Sequence, residues 1–108
     1  MNCYNGERFL REAIESALAQ TYMNWELIFW DNQSTDQSAS IFKSYLDNRL
    51  KYYRSPTHTD LGGGRSSAFQ YLSGELIAVL DVDDVWLPRK LEKQIPLFRD
   101  KDVGLVIC

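Results

Sequence analysis

The stretch Glu26-Leu27-Ile28-Phe29-Trp30-Asp31-Asn32 decides the fold. An apolar run closed by an acid is too short for a helix, and reads as a strand buried on both faces, as in parallel sheets. Upstream, Phe9, Leu10, Ala13, Ile14, Ala17 and Leu18 recur at three- and four-residue spacing. That spacing predicts one apolar face of a helix from about Glu7 to Gln20, with Asn5 as its cap and Glu7 at its positive end. Downstream, Ser34-Thr35-Asp36-Gln37 has the form of a capping box with Ser34 as cap. The helix after it carries Ala39, Phe42, Tyr45 and Leu46 on one side and should stop near Asn48.

Leu50 to Arg54 reads as a second short strand, and Ser55 to Thr59, with Pro56, as loop. Asp60 is placed to cap a third helix running to about Leu72, with Phe69 and Leu72 on its buried face. Gly62, Gly63 and Gly64 fall in its first turn, where each costs up to about 1 kcal/mol against Ala. Such a cost points to close backbone packing or to a functional approach. Leu76-Ile77-Ala78-Val79-Leu80 is the clearest central strand, and it ends in Asp81-Val82-Asp83-Asp84. Pro88 is suited to start a fourth helix, lined by Leu91, Ile95 and Phe98, with a kink or early end at Pro96. Val103 to Ile107 reads as a final strand. Helices alternating with short apolar strands predict an α/β fold with a mostly parallel sheet.

The 108 residues allow one domain with one modest core. Twelve Lys and Arg against fifteen Asp and Glu give a net charge of −3, which argues against a nucleic-acid partner. The two cysteines, Cys3 and Cys108, lie near opposite ends and form no disulfide framework or C-x-x-C motif; they read as reduced thiols. No apolar run approaches the length of a membrane span. The chain opens on a loop that leads into a helix and closes in or just after a strand. It therefore reads as a piece of a larger domain.

In open parallel sheets, ligands bind beyond the carboxyl ends of the strands. Two acidic groups fall at such ends: Asp31-Asn32, and Asp81-Val82-Asp83-Asp84. The second is either a solvated acidic turn or a site for Mg²⁺ or Mn²⁺, which take one or two carboxylates together with substrate phosphates. Asp81 and Asp83 would converge on such an ion, with Asp84 ligating through water or capping the next segment. Asn32 could read a base edge or hold a turn with Asp31. Arg65 could pair with a diphosphate through its guanidinium fork, or lie on the surface. Tyr4 could line the same crevice or pack against its own turn. Trp25 and Trp30 read as core or core-edge residues, and Trp86 as burying its loop. His58 has the chemistry of a general base but no visible partner.

Three segments carry a resemblance to a known family. Tyr4-Asn5-Gly6 with Phe9 to Tyr22, Glu26 to Asp36 (ELIFWDNQSTD) and Ser73 to Lys90 (SGELIAVLDVDDVWLPRK) together resemble the inverting family 2 glycosyltransferases. The resemblance covers nearly the whole chain and implies a Rossmann-like GT-A fold of which residues 1–108 are an incomplete, nucleotide-sugar-binding half. It implies a nucleotide-diphosphate sugar donor, a divalent metal (Mg²⁺ or Mn²⁺) and transfer to an acceptor with inversion. In it, Tyr4 matches the tyrosine of the opening nucleotide-binding loop, Asn32 the carboxylate that reads the nucleobase, and Arg65 an arginine near the nucleotide. Asp81 and Asp83 match the outer members of the D-x-D motif, with Asp83 the direct metal ligand, and Asp84 the further acid beside it.

The sequence departs from the family pattern in three places. Asn32 replaces an acid, Asp60 stands where a glycine is usual, and Ser66 stands where an asparagine is usual. The first strand is expected to be reduced to its last residues, and the acceptor half to be missing. The catalytic base belongs to that half, so no residue here is named for it. The acceptor stays open among a polysaccharide of the cell envelope, a lipid carrier and a protein. The resemblance places the protein in the cytoplasm or at the inner face of the membrane. The alternative is a truncated nucleotide- or metal-binding module without turnover. A sheet left partly uncovered should self-associate through its exposed edge.

Overall fold

The computed structural model describes residues 1–100. Its order is β1 (Asn2–Cys3), α1 (Glu7–Leu18), β2 (Leu27–Asp31), α2 (Ser38–Lys43), β3 (Leu50–Arg54), α3 (Leu61–Phe69) and α4 (Lys90–Gln94), followed by a 3₁₀ turn over Ile95–Arg99. The three strands form one parallel sheet in the order β1-β2-β3. The chain is thus α/β, a partial Rossmann-like sheet flanked by helices.

β2 lies at the centre and all five of its residues are buried, as its unbroken apolar run requires. Leu27 and Phe29 face one side and join Leu10, Ile14 and Ala17 of α1 and Ile41 and Phe42 of α2. Phe29 stacks on Phe42 with ring centroids 4.3 Å apart. Ile28 and Trp30 face the other side and pack with Ala68 of α3, edged by Tyr53 and Leu72. The alternation of β2 side chains therefore separates α1 and α2 from α3, making three layers. β1 is two residues long, paired as Asn2 with Trp30 and Cys3 with Asp31.

Several expected details differ. Gly6, not Asn5, precedes α1, and no side chain caps that helix. Asn5 instead takes a left-handed backbone (φ 51°), and its Oδ1 accepts from the backbone N–H of Thr35 at 2.8 Å. Ser34 does not cap α2 either, because Gln37 precedes it without a side-chain cap. The Ser34 hydroxyl accepts from Asn5 N–H at 3.0 Å, and Ser38 Oγ from Gly6 N–H at 3.0 Å. These polar side chains are spent on knitting the loop after β1 to the loop after β2. Local helix capping loses to that tertiary demand. α2 stops at Lys43, and Leu46 beyond it is 99% exposed. Asp60 does cap α3, accepting from Gly63 N–H at 2.7 Å. The buried face of α3 is Gly64 and Ala68, however, not Phe69, which is half exposed.

The largest difference is at Leu76–Leu80. It forms no strand among the described residues. Leu80 is buried in the main core, but Leu76, Ile77 and Val79 are exposed. β1 offers only two residues of edge, too few to seat a five-residue neighbour. α4 begins at Lys90 rather than Pro88, and gives way to the 3₁₀ turn before Pro96, as the proline predicts. Buried Gln20 holds this returning segment. Its amide donates to Leu87 O at 2.8 Å and accepts from Leu91 N–H at 3.1 Å. Trp86 packs on the core from the same segment. The Val103–Ile107 strand and Cys108 lie outside the described residues, while Cys3 is a buried free thiol.

Candidate functional site

Three chain segments meet beyond the carboxyl ends of β1, β2 and β3. Asn32 follows β2, and its N–H donates to Cys3 O at 2.8 Å, fixing it beside the end of β1. Its side chain is only 2% exposed and is spent on the loop after β3. Asn32 Nδ2 donates to Thr59 O at 2.6 Å, and Oδ1 accepts from Thr59 N–H at 2.9 Å. The amide thus does what a carboxylate could not, since it supplies the donor as well as the acceptor.

The loop so held places His58 over the end of the sheet. His58 Nδ1 lies 3.0 Å from the Asn32 carbonyl, and its ring sits 4.4 Å from the Tyr4 ring at a tilt of 56°. Tyr4 is half exposed. Asn2, Tyr4, Asn32, His58, Thr59 and Asp60 line an open hollow of about 320 Å³.

Beneath this wall, Asp31 is fully buried and serves the structure. Its carboxylate accepts from Tyr52 Oη at 2.6 Å, Arg54 Nη1 at 2.7 Å and Ser34 N–H at 2.8 Å. Burial acts to raise its pKa, but these hydrogen bonds and the Arg54 charge prevail and hold it below the ordinary aspartate value.

The second acidic group reaches the same end of the sheet. Gly6 leaves no room for a side chain, because a Cβ there would stand 2.5 Å from Val82 Cγ2. Gly64 is equally tight, its notional Cβ being 2.7 Å from Asn2 Oδ1. Close packing therefore accounts for that glycine of the α3 first turn. The approach of α3 sets Arg65 against the acid turn, with Nη2 2.6 Å from Asp81 Oδ1. Asp81 O accepts from Asp84 N–H at 3.1 Å, closing the turn, and Asp83 and Asp84 are exposed.

The structure thus gathers Tyr4 and Asn32 at one hollow and pairs Arg65 with Asp81, while Asp83 and Asp84 project from the same turn. Among the described residues no three of His, Cys, Asp and Glu converge as a metal cage. A turn with two exposed carboxylates and a third beside it suits a hard cation that completes its shell with phosphate oxygens and water. The hollow also takes in His58 and Thr59, which the sequence motifs do not single out as binding residues. The Thr-His-Thr run just beyond a parallel strand's carboxyl end was the signal that could have found them.

Comparison with known proteins places the chain in a family. The model of glycosyl transferase family 2 matches residues 1–108. The chain is 36% identical over 106 residues to the Escherichia coli UDP-Glc:alpha-D-GlcNAc-diphosphoundecaprenol beta-1,3-glucosyltransferase WfgD, covering 98% of this chain and 42% of that protein. It is 34% identical over 100 residues to E. coli WfaP, a glucosyltransferase of the same name and specificity, covering 93% of this chain and 40% of WfaP. Among solved structures, S. aureus TarS 1-349 in complex with UDP superimposes with a TM-score of 0.85 at 26% identity, over 92% of this chain and 30% of that fragment. The complex of TarS 1-349 with UDP-GlcNAc gives 0.80 at 28% identity, over 93% of this chain and 30% of the same fragment. The chain thus spans less than half the length of these relatives. With its full length matched by the family model, the chain belongs to glycosyl transferase family 2.

Proposed function

We propose that residues 1–108 are the donor-binding part of an inverting, divalent-metal-dependent glycosyltransferase that uses a nucleotide-diphosphate sugar. The observation that carries this reading is the Arg65–Asp81 pair at the sheet end that also holds the Tyr4–Asn32 hollow. A base in the hollow and a diphosphate reaching toward Arg65 would make one continuous donor site. The relatives named for UDP-glucose and the TarS complexes with UDP and UDP-GlcNAc favour a uridine diphosphate sugar.

In this reading Tyr4 lines the base end, and Asn32 shapes it by pinning the His58–Thr59 loop. Arg65 takes charge on the diphosphate through its fork. Asp83 is the direct metal ligand, with Asp81 and Asp84 beside it. A bound Mg²⁺ or Mn²⁺ would supply Lewis-acid stabilisation of the leaving diphosphate. The acceptor oxygen attacks the anomeric carbon from the face opposite the diphosphate, the C–O bond to the diphosphate breaks, and a base takes the acceptor proton. No described residue is assigned as that base. Lipid-linked glycans of the cell envelope are the acceptor class favoured by the E. coli relatives, with the site facing the cytoplasm. No helix among the described residues is long and apolar enough to cross a membrane.

The deciding experiment is calorimetric titration of nucleoside diphosphates with and without Mn²⁺. Selective UDP binding that needs Mn²⁺ and disappears in Asp83→Ala supports the proposal. Metal-independent binding unchanged by that substitution removes Asp83 from the site. UDP binding without sugar transfer, even when acceptor is supplied, would leave the module without turnover.

A further inference from the structure

We infer that His58, through the nitrogen left free by its bond to Asn32, is the residue that sets base preference in the hollow. The inference rests on the donor-site reading above and adds to it a specificity residue. The side chain expected to read the base is not available for the task. Asn32 is buried, and both ends of its amide are engaged by the Thr59 backbone. His58 is exposed, lines the hollow, and lies against Tyr4.

Its tautomer follows from its partner. The Asn32 carbonyl only accepts, so the hydrogen bond at 3.0 Å places a proton on Nδ1. In the neutral ring Nε2 is then an acceptor. No hydrogen bond engages it among the described residues. An acceptor at the wall of a base pocket favours a base edge that presents an N–H donor, such as the imide N–H of uracil. It disfavours the bare acceptor nitrogen that cytosine shows at the same place. The imidazole face, held beside Tyr4, adds stacking area for any base.

The two contributions separate in a titration series of the full chain with UDP, CDP and inorganic pyrophosphate. The proteins are the parent, His58→Phe and His58→Ala, with folding checked by circular dichroism. The parent is expected to prefer UDP to CDP. His58→Phe keeps a ring and should bind both nucleotides with similar affinity, losing the preference. His58→Ala should bind both roughly tenfold more weakly than the parent, as loss of one stacking contact predicts. Pyrophosphate, which has no base, should bind all three proteins alike. An unchanged UDP preference in His58→Phe, or parental nucleotide affinity in His58→Ala, overturns the inference while leaving the donor site standing. A parent chain that takes up none of the three ligands overturns the donor-site reading, and the inference falls with it.

Discussion

Arg65 Nη2 and Asp81 Oδ1 face each other across 2.6 Å, tying α3 to the acid turn. In the proposed site these two groups serve different parts of the donor complex, the guanidinium facing phosphate and the carboxylate facing a cation. In the free protein each neutralises the other. A cation drawn to Asp81 frees Arg65 for phosphate, so metal and nucleotide should bind with positive coupling. UDP titrations in Mn²⁺ and in chelator should show tighter binding with the metal. In Asp81→Asn, Arg65 is free from the start, and UDP affinity in chelator should rise toward or above the parental value while the Mn²⁺ effect shrinks. Equal metal dependence in both proteins would mean that the pair is not the coupling element.

Asp31 should govern acid stability. Its folded pKa lies below the unfolded value of 3.8, so the stability it contributes is complete above that value and is lost as pH falls through the folded pKa. Asp31→Asn cannot accept from Tyr52, Arg54 and the Ser34 N–H with full charge, and should cost about 2–3 kcal/mol at neutral pH. The half-exposed Arg54 keeps access to water, which holds the cost below that of a wholly buried pair. Thermal melts carried from neutral pH down to about pH 2 should show a shallower slope below the unfolded value in the variant. Parallel slopes would assign the acid sensitivity elsewhere.

The glycines of α3 should separate by position, although helix propensity treats them alike. A Cβ at Gly62 meets nothing nearer than 3.8 Å, so Gly62→Ala should stabilise by up to about 1 kcal/mol. A Cβ at Gly64 meets the Asn2 side chain at 2.7–2.9 Å, and its Oδ1 is itself buried and unpaired among the described residues. Gly64→Ala should therefore destabilise by about 1–3 kcal/mol and, by shifting Arg65, weaken UDP binding. Denaturant midpoints measure the first effect and calorimetry the second. A Gly64→Ala protein as stable as the parent would show that Asn2 yields freely.

These outcomes bear on what the residues alone could convey. Leu27–Trp30 and the Phe9–Leu18 pattern specify β2 and α1 because burial on two faces, or on one stripe, is written into local spacing. The Asp60 cap is local in the same way. Leu76–Leu80 has as strong an apolar run, yet a strand also needs an edge to pair with, and no pattern within the run records one. Asn32 and Thr59 stand 27 positions apart and Arg65 and Asp81 16 apart, so the engagement of that amide and the pairing of those charges emerge only once the strands are parallel. In the structure Tyr4 and Asn32 line one hollow, and Arg65 meets the acid turn at the same end of the sheet. His58 has the residue type of a general base, but its partner is the backbone carbonyl of Asn32, which only the folded chain brings within reach.

The exposed apolar segment should also have a measurable consequence. Leu76, Ile77 and Val79 are exposed beside a core-bound Leu80, and their backbone joins no ladder among the described residues. An unpaired segment with exposed apolar side chains is a template for a second copy. The full chain should therefore sediment with a weight-average coefficient that rises with concentration. Ile77→Lys with Val79→Lys adds charge where no core contact is lost, so it should suppress that rise and leave the melting temperature nearly unchanged. A concentration-independent monomer in the parent chain would show that the segment is covered in solution, and the lysine pair would then lower the melting temperature by exposing what covers it.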